Sequence, residues 1–223
     1  MQNKIERLEY AIADNPIGPF KMTGVIMDES PTACWTIHQS VVKFNNQWYL
    51  FYHHNDLSPK FDKNRSVRID SLFFNADGTI QKVIPTLRGV GVTIALQKIE
   101  VDRYSLKSET GVSIAFLGSL NTFNGWKTIL DKPKAWIRYN AVDFGSKRFK
   151  SVQIKALSKT GGTLQIRLDK ADGTLLAEVK IPESTDFNMV DTQVLKFQKG
   201  IHNLVLVLKD NNPVEVDWIQ FKN

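Results

Sequence analysis

Three carboxylates in the second half of the chain have the type and spacing to hold a hard cation. Glu100 and Asp102 stand two residues apart in Ile99-Glu100-Val101-Asp102, so on a strand both side chains fall on one face. Asp217 lies in the run Val214–Phe221, which reads as the last strand. Oxygen ligands gathered from separate strands suit Ca2+; a solvated acidic edge is the plainer alternative. In the first 90 residues the acids are Glu6, Glu9, Asp14, Asp28, Glu29, Asp56, Asp62, Asp70 and Asp77. Asp14 and Asp77 sit in turn motifs, Asp56 and Asp62 in a polar loop. His38, His53 and His54 supply imidazoles. Neighbours on a strand point to opposite faces, so at most one of His53 and His54 enters any one pocket. Arg65 offers a planar guanidinium that donates to hydroxyls and carboxylates, or is a loop cation solvated beside Lys63 and Arg68.

The elements that must position these groups read as strands. Short β-branched or aromatic runs recur at Val41–Phe44, Trp48–Tyr52, Val67–Phe74, Val112–Leu117, Trp136–Tyr139, Val152–Leu157, Thr163–Leu168, Leu175–Ile181, Leu204–Leu208 and Val214–Phe221. Turn residues split them at intervals of about ten, the pattern of an all-β sandwich, barrel or propeller. Asn75-Ala76-Asp77-Gly78 and Lys170-Ala171-Asp172-Gly173 predict hairpin turns, because glycine tolerates the positive φ a tight turn requires. No stretch sustains a helical period beyond two turns. The class is all-β. Pro85 with Gly89 and Gly91 breaks the pattern, which places a boundary between residues 1–88 and 89–223.

Composition narrows the function classes. The chain has 223 residues, 29 Lys and Arg against 23 Asp and Glu, and 42% hydrophobic residues, which fits a globular chain of one or two domains. The positive charge is interleaved with acids, as in Asp102-Arg103 and Asp169-Lys170, whereas nucleic-acid binders gather it into a stripe. The longest apolar run is far shorter than the roughly 18 residues of a membrane helix. One cysteine, Cys34, excludes an internal disulfide and a Cys-rich zinc site, and its apolar neighbours suggest burial. The first residues carry no apolar signal core, so the protein is either cytoplasmic or begins elsewhere.

Leu8-Glu-Tyr10-Ala-Ile-Ala-Asp14-Asn-Pro16-Ile-Gly18-Pro19-Phe20 resembles a stretch of glycoside hydrolase family 43. Three further blocks follow in that family's order: His38-Gln-Ser40-Val-Val-Lys-Phe44, Trp48-Tyr-Leu-Phe51-Tyr52-His53, and Arg65-Ser66-Val67 leading into Asp70-Ser-Leu72-Phe-Phe-Asn75-Ala-Asp77-Gly78. The resemblance implies the last-blade region of a five-bladed propeller from an enzyme acting on arabinoxylan or xylan, exported to the periplasm or outside the cell. Inverting glycoside hydrolysis needs a carboxylic acid and a carboxylate roughly 6.5–9.5 Å apart, and the family's pair falls in earlier blades that this chain lacks. None of the acids here matches a catalytic block, and a non-catalytic carbohydrate-binding or structural β-sandwich protein is the alternative reading. The resemblance sets His38 near the propeller axis and Arg65 toward the sugar, with His53 as a further pocket candidate. A histidine satisfied within a blade remains the alternative for His38. A lone blade and a half should leave an apolar face uncovered, so residues 1–88 are expected to be poorly packed or to lean on another surface.

Residues 97–223 resemble a carbohydrate-binding module of family 6, a β-jelly roll. The matching blocks are Ile99-Glu100-Val-Asp102-Arg-Tyr104, Ala135-Trp136-Ile-Arg-Tyr139, Gly161-Gly-Thr-Leu-Gln-Ile-Arg167-Leu-Asp169, Gly200-Ile-His202 and Val216-Asp217-Trp218-Ile-Gln-Phe221. The resemblance implies a structural calcium at Glu100, Asp102 and Asp217, and saccharide binding on aromatic platforms that stack against sugar C–H faces. The family's usual tryptophan falls on Phe187, its asparagine near Glu215 and its tyrosine near Ile129, with Trp126 available from a shifted loop. The expected sugar contacts are therefore Trp126, Phe187 and Asn188. Trp136 and Trp218 alternate with apolar residues and read as core.

Overall fold

A computed structural model describes residues 6–55, 65–118, 120–121 and 124–223. The chain divides into two compact units, residues 1–90 and 91–223, and every regular element among the described residues is a strand.

In the first unit, β1 (Leu8–Ile12) pairs antiparallel with β2 (Lys21–Met27). A second sheet joins β3 (Gln39–Phe44), β4 (Gln47–His54) and β5 (Ser66–Leu72) as an antiparallel meander. Asn45 and Asn46, with φ of 45° and 62°, form the β3–β4 turn, since asparagine tolerates the left-handed backbone of a tight hairpin. Pleating sends Leu50 and Tyr52 of β4 inward, where they bury with Leu8, Ile26, Met27, Cys34, Ile37, Leu72 and Val83. Cys34 is a buried free thiol, as its neighbours suggest. This unit therefore has a core of its own. The opposite face of the meander is open: Val42, Phe44 and Val67 are 43%, 65% and 69% exposed.

The second unit is built of two six-stranded sheets. One runs β15 (Asn188–Gln193), β12 (Ser151–Leu157), β17 (Val214–Lys222), β10 (Trp126–Leu130), β9 (Val112–Phe116), with β7 (Ile99–Glu100) on β17. The other runs β14 (Leu175–Ile181), β13 (Gly162–Leu168), β16 (Ile201–Leu208), β11 (Trp136–Asp143), β6 (Thr93–Ile94), with β8 (Leu106–Lys107) on β11. Alternate residues of the facing strands, among them Ile154, Leu164, Ile166, Leu206, Val216, Ile219 and Phe221, are fully or almost fully buried between the sheets. Trp218 is buried, but Trp136 is only half-buried, because the pleat turns its neighbour Ile137 inward instead.

The two Asp-Gly turns form for different reasons. Gly78 has φ +81°, while Asp77 accepts from the Thr79 amide at 3.0 Å. Gly173, between β13 and β14, does not need a positive φ; it needs the absence of a side chain, because a Cβ there would lie 1.9 Å from the Leu168 carbonyl oxygen. Gly173→Ala is expected to lose about 2 kcal/mol, as over-packing does, and urea unfolding would show it. An unchanged midpoint would mean that this turn opens freely.

Candidate functional site

The outer face of the β15-β12-β17-β10-β9 sheet gathers an aromatic ring and four charges. Phe187 precedes β15, Lys155 lies on β12, Glu215 and Asp217 on β17, and Lys127 on β10. The Lys127 ammonium is 2.6 Å from Glu215 Oε2, and that of Lys155 is 2.9 Å from Asp217 Oδ2. Both ammonium groups stand beside the Phe187 ring, 5.8 Å and 5.9 Å from its centroid. Register explains the gathering: Glu215 pairs with Ile129 and Lys155 with Trp218. The irregularity between Lys155 and Ala156 shifts β17 locally, and such bulges re-aim side chains. The result is an apolar ring flanked by charged donors and acceptors, a combination that matches the C–H face and hydroxyls of a sugar.

Of the three expected sugar contacts, only Phe187 belongs to this cluster. Trp126 is the first residue of β10 rather than part of a loop, and it stacks on its cross-strand partner Phe116 with centroids 4.1 Å apart. Alternation sends Trp126 and Lys127 to opposite faces. Asn188 pairs in register with buried Ala156, and its amide donates to the Asp186 carbonyl at 3.1 Å. Lys127 and Lys155 were not legible as site residues, because only the strand register brings them to Phe187.

The acidic trio lies at the β7–β17 pairing, where Glu100 faces Trp218 in register. Asp102 and Asp217 are buried, and Glu100 is exposed. Partial loss of water raises the Glu100 pKa above its ordinary value, and the negative charges of Asp217 and then Asp102 raise it further. Arg103 and Lys98 oppose the shift. Glu100 thus feels the charge of both aspartates. Among the described residues, however, no group of three or more His, Cys, Asp or Glu side chains is closed tightly enough to hold a metal, and Lys155 already holds one oxygen of Asp217.

In the first unit, His38 and His53 come together with ring centroids 5.9 Å apart. His53 lies within β4 and is half-buried, and its Nδ1 makes no hydrogen bond among the described residues. His54, on the other face of β4, is buried. Arg65 is exposed immediately before β5. Asp56, Asp62 and Lys63 lie outside the described residues. Five of the remaining acids have structural partners: Glu6 accepts from the Ile37 amide at 2.9 Å, Arg7 pairs with Glu9 and Glu29, Lys82 with Asp28, and Asp70 takes the Tyr52 hydroxyl at 2.6 Å.

Residues 105–223, more than half of the chain, match the family described as Carbohydrate binding module (family 6). The chain belongs to that family. The module's fold recurs in a family 6 carbohydrate-binding module from Clostridium cellulolyticum solved in complex with xylose, 27% identical, with a TM-score of 0.52 over 59% of this chain and all of that one. An arabinoxylan arabinofuranohydrolase of Bacillus subtilis (strain 168) is 28% identical over 231 residues, or 95% of this chain and 44% of its own length. A crystal structure of a glycoside hydrolase family 43 arabinoxylan arabinofuranohydrolase from Bacillus subtilis shares the fold with a TM-score of 0.60 and 24% identity, over 97% of this chain and 47% of that one. The chain spans less than half the length of the curated relatives it matches.

Proposed function

We propose that the chain is part of an arabinoxylan- or xylan-degrading glycoside hydrolase, in which the module grips saccharide at Phe187 while the first unit helps complete a five-bladed propeller. One observation carries this reading: similarity to an arabinoxylan arabinofuranohydrolase runs through both units, over 95% of the chain. Phe187 is the stacking platform, and the Lys127–Glu215 pair beside it offers a donor and an acceptor to neighbouring sugar hydroxyls. The hydrolytic acid and base belong to blades other than those described here, which agrees with the structural use of Glu6, Glu9, Asp28, Glu29 and Asp70. In the complete propeller His38, His53 and Arg65 face the sugar pocket. The whole enzyme works outside the cell or in the periplasm, where its polymer is.

Calcium is the second part of the proposal. Glu100, Asp102 and Asp217 are the residues that would hold it; they are hard oxygen donors, and a cation would offset the burial and the Asp217 and Asp102 charges that raise the Glu100 pKa. As they stand the three are not closed around a common point, so binding would draw them together, displace Lys155 from Asp217 and thereby tie β7 to β17.

Titration of the chain with xylo-oligosaccharides and arabinoxylan oligosaccharides tests the saccharide site. Phe187→Ala is expected to weaken binding by roughly five-fold to a hundred-fold, since loss of a stacking ring costs about 1–3 kcal/mol. Flat heats with every saccharide, or an unchanged affinity in the variant, would remove Phe187 from the reading.

A further inference from the structure

A basic surface stands at the opposite end of the sandwich from Phe187. Strand β15 runs from Asn188, next to Phe187, to Gln193, so the loop that follows lies roughly 20 Å of strand away. Two loops meet there. Residues 144–150, between β11 and β12, carry Lys147, Arg148 and Lys150; residues 194–200, between β15 and β16, carry Lys196 and Lys199. Neither loop contains an acid. All five cations are exposed, and among the described residues none of them forms an ion pair.

The loops are joined rather than merely adjacent. The Gly200 amide donates to the Gly145 carbonyl at 2.9 Å, the Phe144 amide to Gly200 at 2.9 Å, and the Val194 amide to Lys150 at 3.1 Å. Beneath them the Phe149 ring meets Phe197 at 6.2 Å and Phe221 at 5.4 Å. The cations are therefore held on a braced surface, which lowers the ordering cost of binding. Two of the five, Arg148 and Lys196, line a groove of about 610 Å³ together with Thr174, Leu195, Phe197 and Gln198.

We propose that this groove binds carboxylate-bearing saccharides, a uronic-acid residue within an oligosaccharide being the ligand class. Arg148 supplies the planar fork that a carboxylate fits, and Lys196 a second positive charge. Leu195, 57% exposed, and half-buried Phe197 give apolar surface for a sugar ring, while the Thr174 hydroxyl and Gln198 amide meet ring hydroxyls. Two acids lie close in sequence: Asp143, beside the first loop, is turned to the Gly145 amide, 2.7 Å away, and Asp172, two residues before Thr174, is paired with Lys170 at 3.5 Å. A nucleic acid is less well matched, since the cations cluster at one end of the sandwich and form no stripe along it. This surface is separate from the Phe187 platform and does not depend on it.

Calorimetric titration of the full chain with tetragalacturonate, xylotetraose and a single-stranded oligonucleotide tests the proposal. The double variant Arg148→Ala/Lys196→Ala is expected to weaken tetragalacturonate binding ten-fold or more and to leave xylotetraose unchanged. Phe187→Ala should do the reverse, so failure of either site shows separately. Raising salt from about 0.05 M to about 0.3 M should weaken the uronate complex several-fold. Both altered side chains are exposed, and an unchanged melting temperature would confirm folding. The proposal is overturned by no uronate binding in the unaltered chain, by equal uronate affinity in the double variant, or by tighter binding of the oligonucleotide at the same salt.

Discussion

Asp70→Ala is expected to destabilise the first unit by about 3 kcal/mol, the cost of removing a buried carboxylate that accepts three hydrogen bonds. Asp70 sits in the middle of β5 and is buried. Its Oδ2 accepts the Tyr52 hydroxyl at 2.6 Å and the Thr86 amide at 3.1 Å, and its Oδ1 accepts the Thr86 hydroxyl at 2.7 Å. Thr86 Oγ1 in turn accepts the Gly89 amide at 2.9 Å. One carboxylate thus ties the central strand β4 to the segment that closes the unit. Alanine removes all three contacts to the carboxylate. Asp70→Asn keeps the shape and one acceptor oxygen, so a smaller loss of about 1–2 kcal/mol is expected. Urea unfolding followed through Trp48, whose strand lies beside β5, reads both variants. A fully stable Asp70→Ala chain would refute the structural role. So would release of sugar from an aryl arabinofuranoside that disappears in Asp70→Asn, since it would make this carboxylate catalytic.

The parts of this molecule that were legible in the sequence are those where one local rule decides. Alternation in Val152–Leu157 and Thr163–Leu168 marks strands with one face inward, and the structure buries Val152, Ile154, Leu164 and Ile166 as that pattern requires. Strands β2, β10 and β15 escape such reading. Lys21–Met27 contains a glycine, Trp126–Leu130 follows a loop motif, and Asn188–Gln193 alternates half-buried with exposed residues, none of them buried. Their strand character comes from partners: β15 exists because β12 offers it an edge. The same distinction governs the site. Phe187 is visible as an aromatic in a polar loop, but its companions depend on which residues of β10, β12 and β17 lie opposite one another, and register is a tertiary property. Trp126, one residue from Lys127, falls on the wrong face for that reason alone.

Calcium should produce the other large effect, with a sign that depends on pH. The Glu100 pKa is raised above its ordinary 4.5, first by partial burial and then by Asp217 and Asp102. The folded state therefore favours the protonated acid. Its stabilising contribution is complete at low pH and is lost as pH rises through the raised value. At neutral pH, without metal, the ionised Glu100 is a liability, and Glu100→Gln should melt higher than the unaltered chain. A cation among these carboxylates reverses the sign, because it favours the ionised form. At about a thousand times its dissociation constant it adds about 4 kcal/mol, or several degrees in melting temperature. In calcium, then, Glu100→Gln should melt lower than the unaltered chain, and a chelator should restore the first order. The gain should fade as pH drops toward the carboxylate range, where protons compete for the same oxygens. Lys155 competes too, through its 2.9 Å contact with Asp217, so Lys155→Met should be less stable without calcium and gain more from it. Melting curves that ignore calcium at neutral pH in all three chains would leave these carboxylates as an acidic edge, balanced by Lys98, Arg103 and Lys155.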